Sequence, residues 1–365
     1  MDTFPDLHVH RRSRRIEATL DRRAFLRTSG LAGLAFGLAA CGDSGGATTS
    51  SSSDGLGSVK LQLSWKKNVE FAGEYFADSK GYFKAAGFSQ VELLSGGGSG
   101  TSVESGLATG RCWAGLSAPT ITAPAVLQGA PLKIVGATFQ KNPFAIISLS
   151  KNPIEDAKDL VGKKIGVQDS NELVWNALLK ANGLDAAQVT RVPFQSDPSM
   201  LTSGQLDGYV GFVTSGPVRL KMQGHDATYL LLADAGLPLV AETFTVTQQT
   251  IDTERDKLKA FLTAEIKGWK DAVADPAKAA ELAATVYGKD QNLDVKEQTE
   301  EAKMQNELVV TPDAKANGLF TMTPALIEQN IASLAKAGLN IKAEQLFDLT
   351  ILDEIYKADP SLKLS

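Results

Sequence analysis

Between Leu61 and Phe88 the chain runs LQLSWKKNVEFAGEYFADSKGYFKAAGF, which gathers Trp65, Asn68, Glu70, Phe71 and Tyr75 at the junction of an alternating segment and a helically spaced one. Aromatic faces stack on flat solutes, and amide, hydroxyl and carboxyl groups fix a solute's edge by hydrogen bonds. The same residue types recur after later strand-like segments. Gly98 and Ser99 lie in SGGGSGTS, Ser117 and Thr120 in GLSAPT, and Asp169, Asn171 and Trp175 in VQDSNELVW. Tyr209 and Thr214 lie in GYVGFVTSG, and Glu242 in VAETF. In open α/β sheets, ligands sit beyond the carboxyl ends of strands, where these loops fall. With Trp65, Asn68, Phe71 and Tyr75, these residues form the set expected to contact a ligand.

Several of them have a packing role open as well. Asn68 is suited to cap the helix that follows it. Tyr75 shares helical spacing with Phe76 and Phe83, both expected in the core, and Trp175 lies one turn into its helix. Trp269, deep in IKGWKDAVADP, is expected in the core, with Asp275 capping a restarted helix at Pro276.

Other chemistries find little material. The run SGGGSGTS has neither phosphate-loop spacing nor a lysine, so it is a place of close backbone approach or a flexible turn. Ser215 lacks the GxSxG setting of a nucleophile elbow. Asp169, Glu172 and Glu242 could touch a ligand, but no two of them form an evident proton-transfer pair. The histidines are His8, His10 and His225, and the cysteines Cys41 and Cys112. A metal site or a Cys–His pair therefore has almost no raw material, and Cys112 is expected to be buried as a small apolar residue. No catalytic residue, metal or cofactor is expected.

The elements that must position these residues begin after an N-terminal address. Arg22-Arg23 precede Phe25 and Leu26 in the manner of a twin-arginine export signal, and a short apolar run leads to Leu38-Ala39-Ala40-Cys41, which resembles a lipobox. Residues 1–40 are thus expected to be a signal peptide and Cys41 the lipidated residue. Residues 41–57, rich in Gly and Ser, are expected to form a tether at the outer face of a cytoplasmic membrane. The formal charge of −5 divides into +3 for residues 1–40, with seven Arg and four acids, and −8 for the remainder. An acidic surface argues against a nucleic-acid partner.

From Val59 strand-like and helix-like segments alternate, as in an α/β fold with largely parallel sheets. A second series starts at DLVGKKIGV, and the chain from Asp252 on is mainly helical. The expected organisation is a two-lobed clamshell. Residues 58–147 and 244–365 form a discontinuous first lobe and residues 148–243 the second.

The motifs W-x-x-N…AG-x-Y…KGYF-x-x-G in residues 65–87, VESGLATG before a strand, DLVGKKIGV and GQLDGYVGF together resemble one family. It comprises the solute-binding lipoproteins of ABC importers, in the branch that includes thiamine-pyrimidine-precursor, riboflavin, sulfonate, taurine and nitrate binders. The resemblance covers roughly residues 58–340. It implies a type II periplasmic-binding-protein clamshell with a helical C-terminal region, a monomer that closes on a small molecule and delivers it to permease subunits. The candidate loops offer aromatic, amide and acidic groups, with Lys66 and Lys67 as the nearby cations, a bias toward a flat neutral or amine-bearing heterocycle over a small anion. Trp65 to Asn68 is similar to the pyrimidine-precursor binders, but KKNVEF replaces their Pro-Asn-His-like segment, so a flavin or another aromatic ligand stays open. Two further classes are a pyrimidine-synthesis enzyme on the same fold, which would need a His donor and a Cys-rich iron site, and a ligand-sensing module.

Overall fold

Val59, Leu61 and Leu63 alternate with exposed or polar neighbours and drive the first strand into the core. The computed structural model describes residues 55–97, 102–195 and 197–364, which fall within one compact unit. The expected signal peptide, Cys41, Gly98 and Ser99 lie outside the described residues. Strand β1 (Gly57–Gln62) starts inside the segment expected to be tether, and the Leu56 amide already donates to Gly87 O at 2.8 Å. The fold therefore begins a little earlier than Val59.

The first sheet contains β1, β2 (Phe88–Leu94), β3 (Ala114–Ser117), β4 (Leu132–Phe139) and β10 (Ala241–Thr247), in the order β2-β1-β3-β10-β4. Strand β1 pairs in parallel with β2 and β3, whereas β10 is antiparallel to β3 and β4. The second sheet has the order β7-β6-β8-β5-β9, from β5 (Phe144–Leu149), β6 (Lys164–Val167), β7 (Thr190–Pro193), β8 (Gly208–Phe212) and β9 (Ala227–Leu231). Its edge strand β7 is short, largely unburied and ends in Pro193, features that discourage pairing with a further strand. These two mixed sheets with their helices give the α/β clamshell that the sequence implied.

One boundary moves. The apolar run FAIISL is a central strand of the second sheet, paired antiparallel with β8 and β9. Phe144–Leu149 thus belongs to the second lobe rather than closing the first, and the chain returns to the first sheet at Ala241 rather than at 244. The crossovers are residues 140–143 and 232–240.

The helical C-terminal region binds both lobes. Helix Arg255–Ala274 crosses helix Ala72–Ser79 so closely that a Cβ on Gly73 would collide with the Trp269 ring, and one on Gly268 with the Gly73 carbonyl. Glycine is needed at both positions. Helix Pro324–Lys336 caps the second crossover: Asn330 Oδ1 accepts from the Val240 amide at 3.0 Å, and Lys336 Nζ donates to Gly236 O at 2.9 Å.

Candidate functional site

The loop leaving β1 is shaped by its neighbours. Asn68 Oδ1 accepts from the Glu70 amide at 2.8 Å and caps the short turn Val69–Phe71, so the capping role open to Asn68 is the one it takes. Trp65 is 44% exposed, unusual for the largest side chain, and lies against the loop that follows β2. The Gly96 amide donates to Trp65 O at 2.8 Å, and a Cβ on Gly97, whose φ is +77°, would come within 2.8 Å of the Trp65 ring. The described glycines of the run SGGGSGTS therefore let one loop approach another closely. Their backbone cradles Trp65.

Beneath Trp65 the first lobe buries acids. Ser64 Oγ donates to Glu242 Oε2 at 2.7 Å, tying the β1 exit to the start of β10. Glu242 has φ +48°, a left-handed conformation that non-glycine residues rarely hold. The ladder fixes it from both sides, because Ala241 pairs with Phe139 and Thr243 with Ser117. Burial pushes the Glu242 carboxyl well above the usual carboxylate range, and the charge of Glu70 adds to the effect. Burial likewise raises Glu70 to about 7, opposed by its hydrogen bonds with Glu242 and Asn68. Two adjacent buried carboxylates cannot both ionise cheaply, so the pair as a whole titrates above the usual carboxylate range.

More acids lie behind this pair. Glu74 is fully buried and raised to about 7 by desolvation, with Trp269 Nε1 donating to its Oε1 at 3.4 Å and its Oε2 without a partner. Glu265, on helix Arg255–Ala274, is fully buried, has both oxygens unpartnered and is pushed well above its ordinary value by desolvation and by Glu74. Desolvation raises Glu301 to about 8; Glu297 adds to the shift, while Arg219 and Gln298 oppose it. Among the described residues, no group of three or more His, Cys, Asp and Glu is arranged to hold a metal ion. The chemistry on offer is hydrogen bonding from neutral acids and, once a proton leaves, attraction of a positive or donor-rich edge.

The expected contacts divide sharply. Phe71 and Tyr75 have no exposed surface, so they belong to the core under the loop. Tyr75 stacks on Tyr287 with ring centroids 4.3 Å apart, and its hydroxyl lacks a partner. Trp175 is buried in the core of the second lobe with Val174 and Leu178, the packing alternative its helix position left open. Tyr209 is also buried and stacks on Phe194 with ring centroids 4.7 Å apart. Ser117 Oγ and Thr122 Oγ1 donate to Glu104 Oε1 at 2.5 and 2.9 Å, which braces the loop carrying the half-buried Thr120.

On the second lobe, Asp169 is exposed and paired with Arg191 at 2.7 Å, Asn171 is half-buried, and Thr214 is buried just past the end of β8. Hydrogen bonds link Ser64, Asn68, Glu70 and Glu242 within the first lobe, next to the loop that exposes Trp65. Cys112 is buried, its thiol raised to about 11 by desolvation.

Ser64, Glu74, Glu265 and Glu301 were missed as members of this region, and Glu70 was noticed without being assigned a role. A signal existed for Glu70 and Glu74: they stand four apart in VEFAGEYFA, a segment apolar on every side, which leaves an acid no outward face.

Comparison with known proteins agrees with this architecture. The chain is 29% identical over 238 residues to the riboflavin-binding protein RibY of Chloroflexus aurantiacus, covering 62% of this chain and 66% of that protein, just under two thirds of its length. It is 26% identical over 243 residues to a formylaminopyrimidine-binding protein of Halalkalibacterium halodurans, covering 65% and 73%. It is also 26% identical over 234 residues to 4-amino-5-hydroxymethyl-2-methylpyrimidine phosphate synthase of Schizosaccharomyces pombe, covering 60% and 67%. Among solved structures, the periplasmic aliphatic sulphonate binding protein SsuA of Escherichia coli superposes with a TM-score of 0.60 at 14% identity, covering 78% of this chain and 94% of that one. The fold is that of periplasmic binding proteins. A family model described as NMT1/THI5 like matches residues 68–279, more than half of the sequence, and the chain belongs to the NMT1/THI5-like family.

Proposed function

We propose that the chain is the solute-capturing component of an ABC import system, closing two lobes on a small, flat heterocycle with an amine or amide edge and delivering it to permease subunits. The observation that carries this reading is the buried Glu70–Glu242 acid pair, tied through Ser64 to the loop that exposes Trp65. A ring can stack on the indole while its donors meet the carboxyl groups. A sulfonate or nitrate would face buried acids instead of the donors it needs, so small anions are disfavoured. Two relatives named for binding riboflavin and formylaminopyrimidine support a heterocycle.

Capture rather than catalysis is the reading for this chain even though one relative is named as a synthase. His225, the one histidine beyond the proposed signal, lies past the end of helix Gly216–Met222, and Cys112 is buried under the first sheet. We further propose that the chain is exported and held at the outer face of the cytoplasmic membrane through lipid on Cys41.

Titration of tryptophan fluorescence with riboflavin, formylaminopyrimidine, taurine and nitrate tests the ligand class. Saturable change with a heterocycle supports it; saturable change with the anions alone overturns it. For the anchor, Cys41→Ala moves the protein from the membrane to the soluble fraction, and unchanged fractionation refutes lipidation there.

A further inference from the structure

One helix touches the loop after β1, a helix of the second lobe and a crossover. Val295–Val309 carries Gln298 and Gln305, seven residues apart and so on one face, both 2% exposed. Gln298 Oε1 accepts from the Val69 amide at 2.8 Å, and Gln305 Nε2 donates to the Val69 carbonyl at 3.0 Å. The peptide groups on both sides of Val69 are thus held by side chains from a helix distant in sequence, in the middle of the turn that carries Asn68 and Glu70. Gln298 Nε2 also donates to Glu301 Oε2 at 2.9 Å, which fixes the amide's orientation.

The residue before Gln298 faces the other lobe. Glu297 Oε1 accepts from Arg219 Nε and Nη2, both at 3.1 Å, and Arg219 belongs to helix Gly216–Met222 that follows β8 in the second lobe. At its far end the same helix receives the first crossover, because Leu308 O accepts from the Gln140 amide at 3.0 Å. A rigid helix gripped at Glu297 by one lobe, at Gln298 and Gln305 by the ligand loop, and at Leu308 by a crossover cannot shift at one of these points alone.

We infer that Gln298 and Gln305 are positioning residues for the Trp65–Phe71 loop, and that the Arg219–Glu297 pair makes the loop's setting depend on where the second lobe stands. The inference rests on the proposal that this loop faces the ligand, but its first test needs no ligand. Arg219 is partly exposed at the lobe junction, so Arg219→Gln leaves both cores intact. Losing the pair loosens the helix and with it the clamp on Val69, although Arg219 bonds to Glu297 and not directly to that loop.

Amide hydrogen exchange on the purified full chain reads this directly. In Arg219→Gln and in Glu297→Gln the Val69 amide exchanges roughly threefold or more faster than in the wild type, and the double variant adds nothing beyond either single change. Lys141→Gln removes a different ion pair, with Asp234 at the crossovers, and leaves Val69 unchanged. A change confined to helix Gly216–Met222 and the first turn of Val295–Val309, or equal acceleration in Lys141→Gln, overturns the relay. Titrating wild type and Arg219→Gln with riboflavin and formylaminopyrimidine separates the two claims. If neither binds the wild type, the proposed ligand class fails while the exchange result still decides the relay. If one binds, the relay predicts weaker affinity in Arg219→Gln, and equal affinity counts against it.

Discussion

The two lobes share an architecture of five strands and covering helices but not an interior. The first lobe buries Glu70, Glu74, Glu104, Glu242, Glu265 and Glu301, whereas among the described residues between β5 and β9 in the second the buried polar side chains are Ser148 and Thr214. An apolar interior needs no chemistry beyond packing. An interior full of carboxyl groups is costly unless they stay protonated or meet a ligand. On the proposed function, this contrast would give recognition to the first lobe and cover to the second, and it can be broken or sharpened at several points.

The largest effect separates support from contact on the same loop. Phe71→Ala opens a cavity in the first-lobe core and lowers unfolding free energy by about 3–5 kcal/mol, measured by chemical denaturation. Trp65→Ala, a few residues away and exposed, changes stability by less than about 1 kcal/mol. It does abolish most of the ligand-induced fluorescence change. Similar losses of stability from both substitutions would erase the proposed division of labour.

The next effect is pH dependence. Glu70 and Glu74 are raised from 4.5 to about 7 and Glu301 to about 8, so the folded chain holds protons that the unfolded chain has released. Stability contributed by these groups is full below their unfolded values and is lost as pH rises through about 7 to 8. A single group shifted this far contributes on the order of 2–3 kcal/mol between about pH 5 and pH 8. Denaturation midpoints therefore fall as pH is raised across this window, and Glu70→Gln flattens the slope. A slope of the opposite sign, or one unaffected by the substitution, would show that these acids are ionised in the fold.

A smaller effect concerns the glycines under Trp65. Gly97→Ala forces a side chain against the indole and a left-handed backbone on a non-glycine residue, at about 1–2 kcal/mol in stability. It also shifts the Trp65 emission. An unmoved spectrum would mean the ring does not rest on this loop.

The fold was largely legible, because alternation of strand-like and helix-like segments is a local signal that tertiary context rarely reverses over a whole lobe. The crossover was misplaced for a similar reason: FAIISL has the same apolar character whether it closes one sheet or opens the next, and only its pairing with β8 and β9 decides. Site residues were harder. Trp65, between a strand and two lysines, stays exposed, yet Phe71 and Tyr75, equally aromatic, turn inward because the segment after Asn68 is buried on every side. Glu265 offered no cue. Its burial comes from a helix crossing set by Gly73, Gly268 and Trp269, partners nearly two hundred positions apart in sequence.

The central claim is that the Glu70–Glu242 pair selects a heterocycle over an anion. Calorimetric titration of the wild type and Glu242→Ala with riboflavin, formylaminopyrimidine, an alkanesulfonate and nitrate tests it most directly. The account predicts binding of at least one heterocycle, no binding of either anion, and a loss of roughly tenfold or more in Glu242→Ala, the size of one hydrogen bond to a buried acid. Binding of the anions alone, or an unchanged heterocycle affinity in Glu242→Ala, would contradict it.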